Sequence, residues 1–222
     1  MEAWTALVTG ANRGLGKAIA HALLARGART VYAGARDPET VTDPRLVPVR
    51  LDITDPASVA AAAERCGDVT LLINNAGIGL RSGLIAPASP DAARAEMETN
   101  YFGTLAMCRA FAPTLARNGG GTIVNVLSVL SWITLPGLGT YSASKAAAWA
   151  MTNGVRQELA GQGTRVVGVH AAFIDTDMAA GVELPKTSPA DVAELVLDAV
   201  EKGEEEVLVD DITRQTKAAL SG

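Results

Sequence analysis

A chain of 222 residues with 48% hydrophobic and 19% charged side chains is long enough to bury its own core and about the size of one α/β domain. Aromatics are only 4%, which points to a core of Val, Ile, Leu and Ala between helices and a buried sheet. A formal charge of −5 without a Lys/Arg cluster argues against a nucleic-acid partner, and no apolar run of about 18 residues is present to span a membrane.

In chain order, Thr5 to Thr9 reads as an apolar strand, followed by a glycine turn from Gly10 to Gly16. A helix then puts Ile19, Ala20, Leu23 and Leu24 on one face and stops at Gly27. Strands are expected at Thr30 to Gly34 and Leu46 to Leu51. Asp55 as N-cap and Pro56 at the first helical position then open an alanine-rich helix ended by Gly67. Val69 to Asn74 is a wholly apolar strand ending in Asn-Asn-Ala-Gly, and Ser89-Pro90 caps a long helix running past Asn100 to Pro113 and beyond. The remaining elements are a strand at Thr122 to Leu127, a helix at Thr140 to Leu159, a strand at Arg165 to Val169, a helix capped by Ser188-Pro189, and a last strand at Val207 to Val209.

Apolar strands separated by helices, with no Asn-Gly hairpin signals, predict right-handed βαβ crossovers. The expected architecture is a single-domain, three-layer α/β/α fold over residues 1–222, a doubly wound parallel sheet of the Rossmann type. Ligands in such sheets lie beyond the carboxyl ends of the strands, where Gly10 to Gly16, Asn74 to Gly77, Ser128 and Ala171 to Thr176 fall. The first strand begins by Trp4, leaving no space for a leader segment, so a cytoplasmic protein is expected.

The run Thr9-Gly10-Ala11-Asn12-Arg13-Gly14-Leu15-Gly16 places glycines where a strand reverses into a helix and offers backbone N–H groups to a phosphate. About 20 residues further on, where such a domain meets the adenosine ribose, stand Arg36 and Asp37. A carboxylate there would bond the ribose hydroxyls of NAD, whereas a guanidinium would pair with the 2′-phosphate of NADP. Arg36 comes first after the strand and Arg13 can approach the same phosphate, so NADP(H) is favoured over NAD(H). Asp52 is either an acceptor for the adenine amino group or a turn residue.

Tyr141 and Lys145 are four apart at the start of a helix and share one face. A free phenol titrates near about 10, so acid/base work near neutrality needs that value lowered, and a neighbouring ammonium would do this. Lys145 can also reach the nicotinamide ribose, while Ser128 can donate a hydrogen bond to a substrate carbonyl.

Together, Thr9-Gly10-x-x-x-Gly14-x-Gly16, Asn74-Asn75-Ala76-Gly77, Asn100, Ser128 and Tyr141-Ser142-Ala143-Ser144-Lys145 resemble the short-chain dehydrogenase/reductase family, in its order and spacing, from Thr5 to about Val209. The resemblance implies Tyr141 as general acid/base, Lys145 as its electrostatic helper and ribose ligand, Ser128 as carbonyl stabiliser and Asn100 as anchor of a relay water. It implies a cofactor surface of Gly10, Asn12, Arg13, Gly14, Leu15, Gly16, Arg36, Asp52, Ile53, Asn74, Ala76, Gly77, Ile174 and Thr176, together with Tyr141 and Lys145. The family's usual Pro-Gly after the sixth strand is replaced by Ala171-Ala172. The segment Met178 to Thr187 is short, which suggests an open pocket or a small lid.

The expected pocket wall is Ile78, Leu80, Trp132, Leu135, Phe173 and Met178, suited to a small, largely apolar carbonyl or alcohol. Two other readings compete: an NAD-linked alcohol dehydrogenase, supported by Asp37, and a non-catalytic NADP-binding regulator. Cys66, Cys108, His21 and His170 lack metal-ligand spacing and read as structural residues, and no metal is expected. Small residues at Ala143, Ala146, Ala147 and Ala150, together with the family's habit, suggest a homodimer or homotetramer.

Overall fold

The computed structural model describes residues 4–87 and 89–220. In chain order the elements are β1 (Thr5–Thr9), α1 (Gly14–Ala25), β2 (Thr30–Ala35), β3 (Val47–Arg50), α2 (Pro56–Arg65), β4 (Leu71–Asn74), α3 (Asp91–Met97), α4 (Thr104–Arg117), β5 (Thr122–Val126), α5 (Gly139–Leu159), β6 (Arg165–His170), α6 (Pro189–Lys202), β7 (Glu206–Leu208) and α7 (Asp211–Ala219). The seven strands are all parallel, in the order β3-β2-β1-β4-β5-β6-β7. The chain order of strands reverses between β1 and β4, so a crevice opens beyond their carboxyl ends, the usual ligand position in a doubly wound sheet.

Successive strand residues point to opposite faces and so feed two separate cores. Ala6, Val8, Leu71, Ile73 and Val124 pack with Ile19 and Leu23 of α1 and Val192, Val196 and Leu197 of α6. Leu7, Leu72 and Ile123 face the other way, onto Val59 of α2, Met107, Phe111 and Leu115 of α4 and Ala148 and Met151 of α5. Both faces are covered, which explains strands that read as continuous apolar runs. Cys66 and Cys108 are buried in the second core as free thiols, and burial pushes both up to about 12.

Most expected elements are present with ends shifted by a residue or two. Asp55 caps α2 by accepting from the Ala57 amide, and Ser188 caps α6 by accepting from that of Asp191. The long helix expected after Ser89-Pro90 is three consecutive pieces: α3, a π-helical segment Glu98–Gly103 and α4, with Pro113 inside the last. The π segment holds Asn100, and widened turns of this kind often occur at functional sites. The helix α7 was not among the expected elements. Asp210 caps it by accepting the Thr213 amide at 2.8 Å.

Candidate active site

The glycine loop turns β1 into α1 with left-handed backbone at Gly10 (φ +66) and Gly14 (φ +53). Gly16 has no room for a side chain: a Cβ there would run into the Gly10 carbonyl and the Asn75 carboxamide. The α1 N-cap is Arg13, which makes no side-chain cap bond, and the first turn carries no acidic residue. The N-terminal amides of α1 therefore face the crevice uncapped, and this cradle fits a pyrophosphate.

The loop after β4 is tied to the glycine loop by Thr9 and Asn75, which stand in the motifs without an assigned role. Thr9 Oγ1 accepts from the Asn75 and Ala76 amides at 3.0 and 2.9 Å, and Asn75 Nδ2 donates to the Thr9 carbonyl at 2.9 Å. Asn74 was expected at the cofactor but is turned into the sheet, donating to Asn125 Oδ1 at 2.9 Å and to Cys108 Sγ at 3.5 Å. Its side chain lies on the face of β4 opposite to the crevice approach, and parallel pairing sets it beside Asn125. Thr9 and Asn75 carried a signal in being polar residues flanking the glycine turn, one on each strand end.

Four of the expected residues converge. A Cβ on Gly77 would stand 3.1 Å from Asn100 Oδ1 and 3.6 Å from Lys145 Nζ. Asn100 Nδ2 donates to the Ile78 carbonyl and to Ser144 Oγ, both at 2.9 Å, and Ser144 Oγ donates to the Tyr141 carbonyl at 2.7 Å. Lys145 Nζ donates to the Val126 carbonyl at 2.9 Å and lies 5.8 Å from the Tyr141 ring centre. Ser128 is near enough to the Tyr141 phenol to favour its ionised form, and its Oγ accepts the Leu130 amide at 3.1 Å.

The electrostatics differ from the expectation that Lys145 lowers the phenol. Burial pushes Tyr141 up to about 12; the neighbouring Ser128 opposes this, and the charge of Glu96 adds to it. Lys145 is itself buried, which brings its ammonium down to about 8. With burial the leading cause of its shift and Lys145 Nζ 5.8 Å from the ring centre, the phenol is protonated at neutral pH.

Asp37, the acidic residue of the Arg36-Asp37 pair, accepts the Glu39 amide at 3.1 Å and caps the short turn after β2. Asp52 is a turn residue: its Oδ1 accepts from the Thr54 amide and hydroxyl at 3.0 and 2.7 Å. Those bonds, with Arg36 nearby, hold its carboxyl below the usual range. Arg13, expected to approach the same 2′-phosphate as Arg36, is exposed, and its Nη1 stands 3.4 Å from Asp177 Oδ2. A long exposed side chain takes the nearest carboxylate, here on the turn above the glycine loop. Leu15 and Ile53 are buried in the two cores, and Asn12 is half-buried in the loop.

The loop without Pro-Gly is held from three sides. The Val129 amide donates to the Ala171 carbonyl at 2.9 Å, the Ala172 amide donates to Asp210 Oδ2 at 2.8 Å, and Ile174 bridges to Thr187. Thr176 lies over the glycine loop, with Cγ2 3.3 Å from where a Gly14 Cβ would be. Thr187 thus returns the short lid directly onto its own stem.

Of the expected pocket wall, Met178 lies near the Tyr141 ring, and Ile78 and Leu80 flank Gly79 in the chain: a Cβ on Gly79 would be 3.4 Å from the Tyr141 ring and 3.9 Å from Met178 Sδ. Phe173 is half-buried beside the Thr187 amide, which donates to its carbonyl, and Leu135 is exposed in the turn before α5. Trp132 is not a wall residue. It stacks on His170 at 4.0 Å, meets Trp149 edge-on at 6.4 Å and carries Lys217 of α7 over its ring at 4.7 Å. The unforeseen α7 provides the cation that covers that indole. His170 is structural as expected, with Nδ1 3.1 Å from the Ser128 carbonyl, and burial brings it down to about 4.

A family model described as short chain dehydrogenase matches residues 4–186. The chain belongs to the short-chain dehydrogenase/reductase family, a family of oxidoreductases. A dehydrogenase/reductase SDR family member 7B from Bos taurus is 33% identical over 238 residues, covering 92% of this chain and 73% of the relative. Among solved structures, a short chain dehydrogenase from Burkholderia cenocepacia in complex with NADP is 49% identical, with a TM-score of 0.96, over 100% of this chain and 94% of that one. An NADPH-bound carbonyl reductase from chicken fatty liver is 27% identical, with a TM-score of 0.82, over 90% of this chain and 92% of that one. Among the described residues no helix is long and apolar enough to cross a membrane.

Proposed function

We propose that this protein is an NADP(H)-dependent reductase of small, largely apolar ketones or aldehydes, with Tyr141 as the proton donor. The observation that carries this reading is the convergence of Tyr141, Ser128 and the buried Lys145: Lys145 Nζ lies 5.8 Å from the Tyr141 ring centre, and Ser128 is near enough to the phenol to favour its ionised form. The uncapped amides of α1 would hold the pyrophosphate, Lys145 would serve the nicotinamide ribose, and Ile174 and Thr176 would serve the carboxamide. When bound, the cofactor supplies the hydride. Ser128 and Tyr141 then both address the substrate oxygen, Ser128 as hydrogen-bond donor and Tyr141 as the source of the proton. Both side-chain donors of Asn100 are already used on Ile78 and Ser144, so any relay water rests on other atoms of that residue.

The preference for NADP(H) rests on Asp37. Its Oδ1 is engaged by the Glu39 amide, so the carboxylate that would favour NAD serves the turn, and Arg36 remains for a 2′-phosphate. The NADP and NADPH bound to the two structural relatives agree with this choice. A homo-oligomer is supported by the exposed Ala143 and Ala150 of α5 and by a groove of about 410 Å³ between α2 and α4, which includes the half-exposed Phe102.

The test is consumption of NADPH and of NADH with a panel of apolar ketones, aldehydes and quinones. Turnover with NADPH supports the reading. NADPH binding without turnover of any carbonyl favours the regulator, and faster turnover with NADH favours the NAD-linked dehydrogenase.

A further inference from the structure

Glu96 is fully buried, with 0% of its surface exposed, on the last turn of α3. Its Oε1 accepts the Leu80 amide at 2.7 Å, and its Oε2 has no hydrogen-bond partner. Taking a carboxylate out of water without a cation is costly, so the position calls for a compensating role. Four residues on, Asn100 accepts the Ile78 amide at 2.9 Å and donates to the Ile78 carbonyl at the same distance. Side chains four apart share a helix face, so Glu96 and Asn100 grip alternate residues of one extended segment, much as a neighbouring strand would. Gly79 lies between the gripped residues and faces the Tyr141 ring. The next residue, Arg81, has left-handed backbone (φ +51) and donates from Nη2 to the lid carbonyl of Ala180 at 2.7 Å.

We propose that Glu96 is a positioning residue for the reaction: a buried carboxylate that, with Asn100, holds the Ile78–Leu80 segment against Tyr141 and so sets the gap between the acid/base and the lid. This rests on the reading of Tyr141 as the proton donor. The charge has a second effect, because it favours the phenol over the phenolate, the form needed for reduction. The titratable group that feels its charge is Tyr141 of α5; Lys145 Nζ is bonded to the Val126 carbonyl and the Arg81 guanidinium to the lid, and among the described residues no cation pairs with Glu96.

Glu96→Gln keeps an acceptor for Leu80 and removes the charge, whereas Glu96→Ala removes both. Hydrogen exchange at the Leu80 amide reads the grip directly and needs no substrate. Expected is at least about tenfold faster exchange in Glu96→Ala and little change in Glu96→Gln. With a carbonyl that the wild type reduces, Glu96→Ala loses about tenfold in kcat. Glu96→Gln keeps its KM, and the alkaline fall of its rate moves to lower pH. The proposal is overturned if Glu96→Ala leaves Leu80 exchange and kcat within about twofold of wild type, or if Glu96→Gln leaves both kcat and the alkaline limb unmoved. Should the alanine variant not fold, the glutamine variant alone decides. Absence of turnover in the wild type would sink the reductase reading, while the exchange experiment would still decide the role of Glu96.

Discussion

Asp210 and Ala172 are joined by a 2.8 Å hydrogen bond that ties the last helix to the loop where the family's Pro-Gly is missing. The same carboxylate uses its other oxygen to cap α7 through the Thr213 amide. One side chain therefore stiffens, through tertiary structure, a loop whose own sequence supplies no Pro or Gly.

Asp210→Ala is expected to lose about 1 kcal/mol from the cap and a further amount, about 1–3 kcal/mol, from an amide left without its acceptor. Asp210→Ser keeps a capping oxygen but cannot serve both amides, so its stability by urea unfolding stays closer to wild type. Both variants should bind NADPH several-fold more weakly in a fluorescence titration. Wild-type affinity in both would show that the bond does not organise the cofactor loop.

Tyr141→Phe removes the proton donor and leaves the ring packed against Gly79. The expected result is a loss of roughly 10²–10⁴ in kcat, with NADPH affinity unchanged. If the variant keeps more than about a tenth of the wild-type rate, the proton comes from another group.

Replacing Arg36 by Asp puts a carboxylate beside the ribose position and takes away the cation for a 2′-phosphate. The ratio of kcat/KM for NADPH over NADH should fall by at least about tenfold, a change of about 1.4 kcal/mol. An unchanged ratio would mean that Arg36 does not read the cofactor.

His170 makes stability sensitive to acid. Its folded value, about 4, lies below the ordinary 6.5 because of burial, so the unfolded chain binds the extra proton first as the pH falls. Stability is whole above about pH 6.5 and is lost progressively down to pH 4, by about 3 kcal/mol. Denaturation midpoints at pH 7 and 4.5 should differ less in His170→Gln, and equal differences in the two proteins would remove His170 as the cause.

The architecture was legible because it rests on local chemistry. Continuous apolar runs, Asp55-Pro56 and Ser188-Pro189 caps and a glycine turn each bias a few neighbouring residues, and βαβ handedness does the rest. The convergence of Asn100, Ser128, Tyr141 and Lys145 was likewise readable, since each lies at the end of a strand or on a helix face aimed at one crevice. Helix α7 was missed because its apolar stripe is weak: Thr213 is its one buried residue. With it went the positions of Trp132 and His170, which depend on Lys217 and on the β6–β7 edge. Side-chain direction at Asn74, the commitment of Asp37 and Asp52 to turns, and the Glu96 grip on Leu80 all involve partners that sequence spacing does not specify. Local sequence chemistry thus sets most of the strands and helices and their βαβ alternation. The partners of buried polar atoms, and the effect of burial on Tyr141 and Lys145, come from the folded packing, because desolvation and hydrogen bonding depend on neighbours brought together from distant parts of the chain.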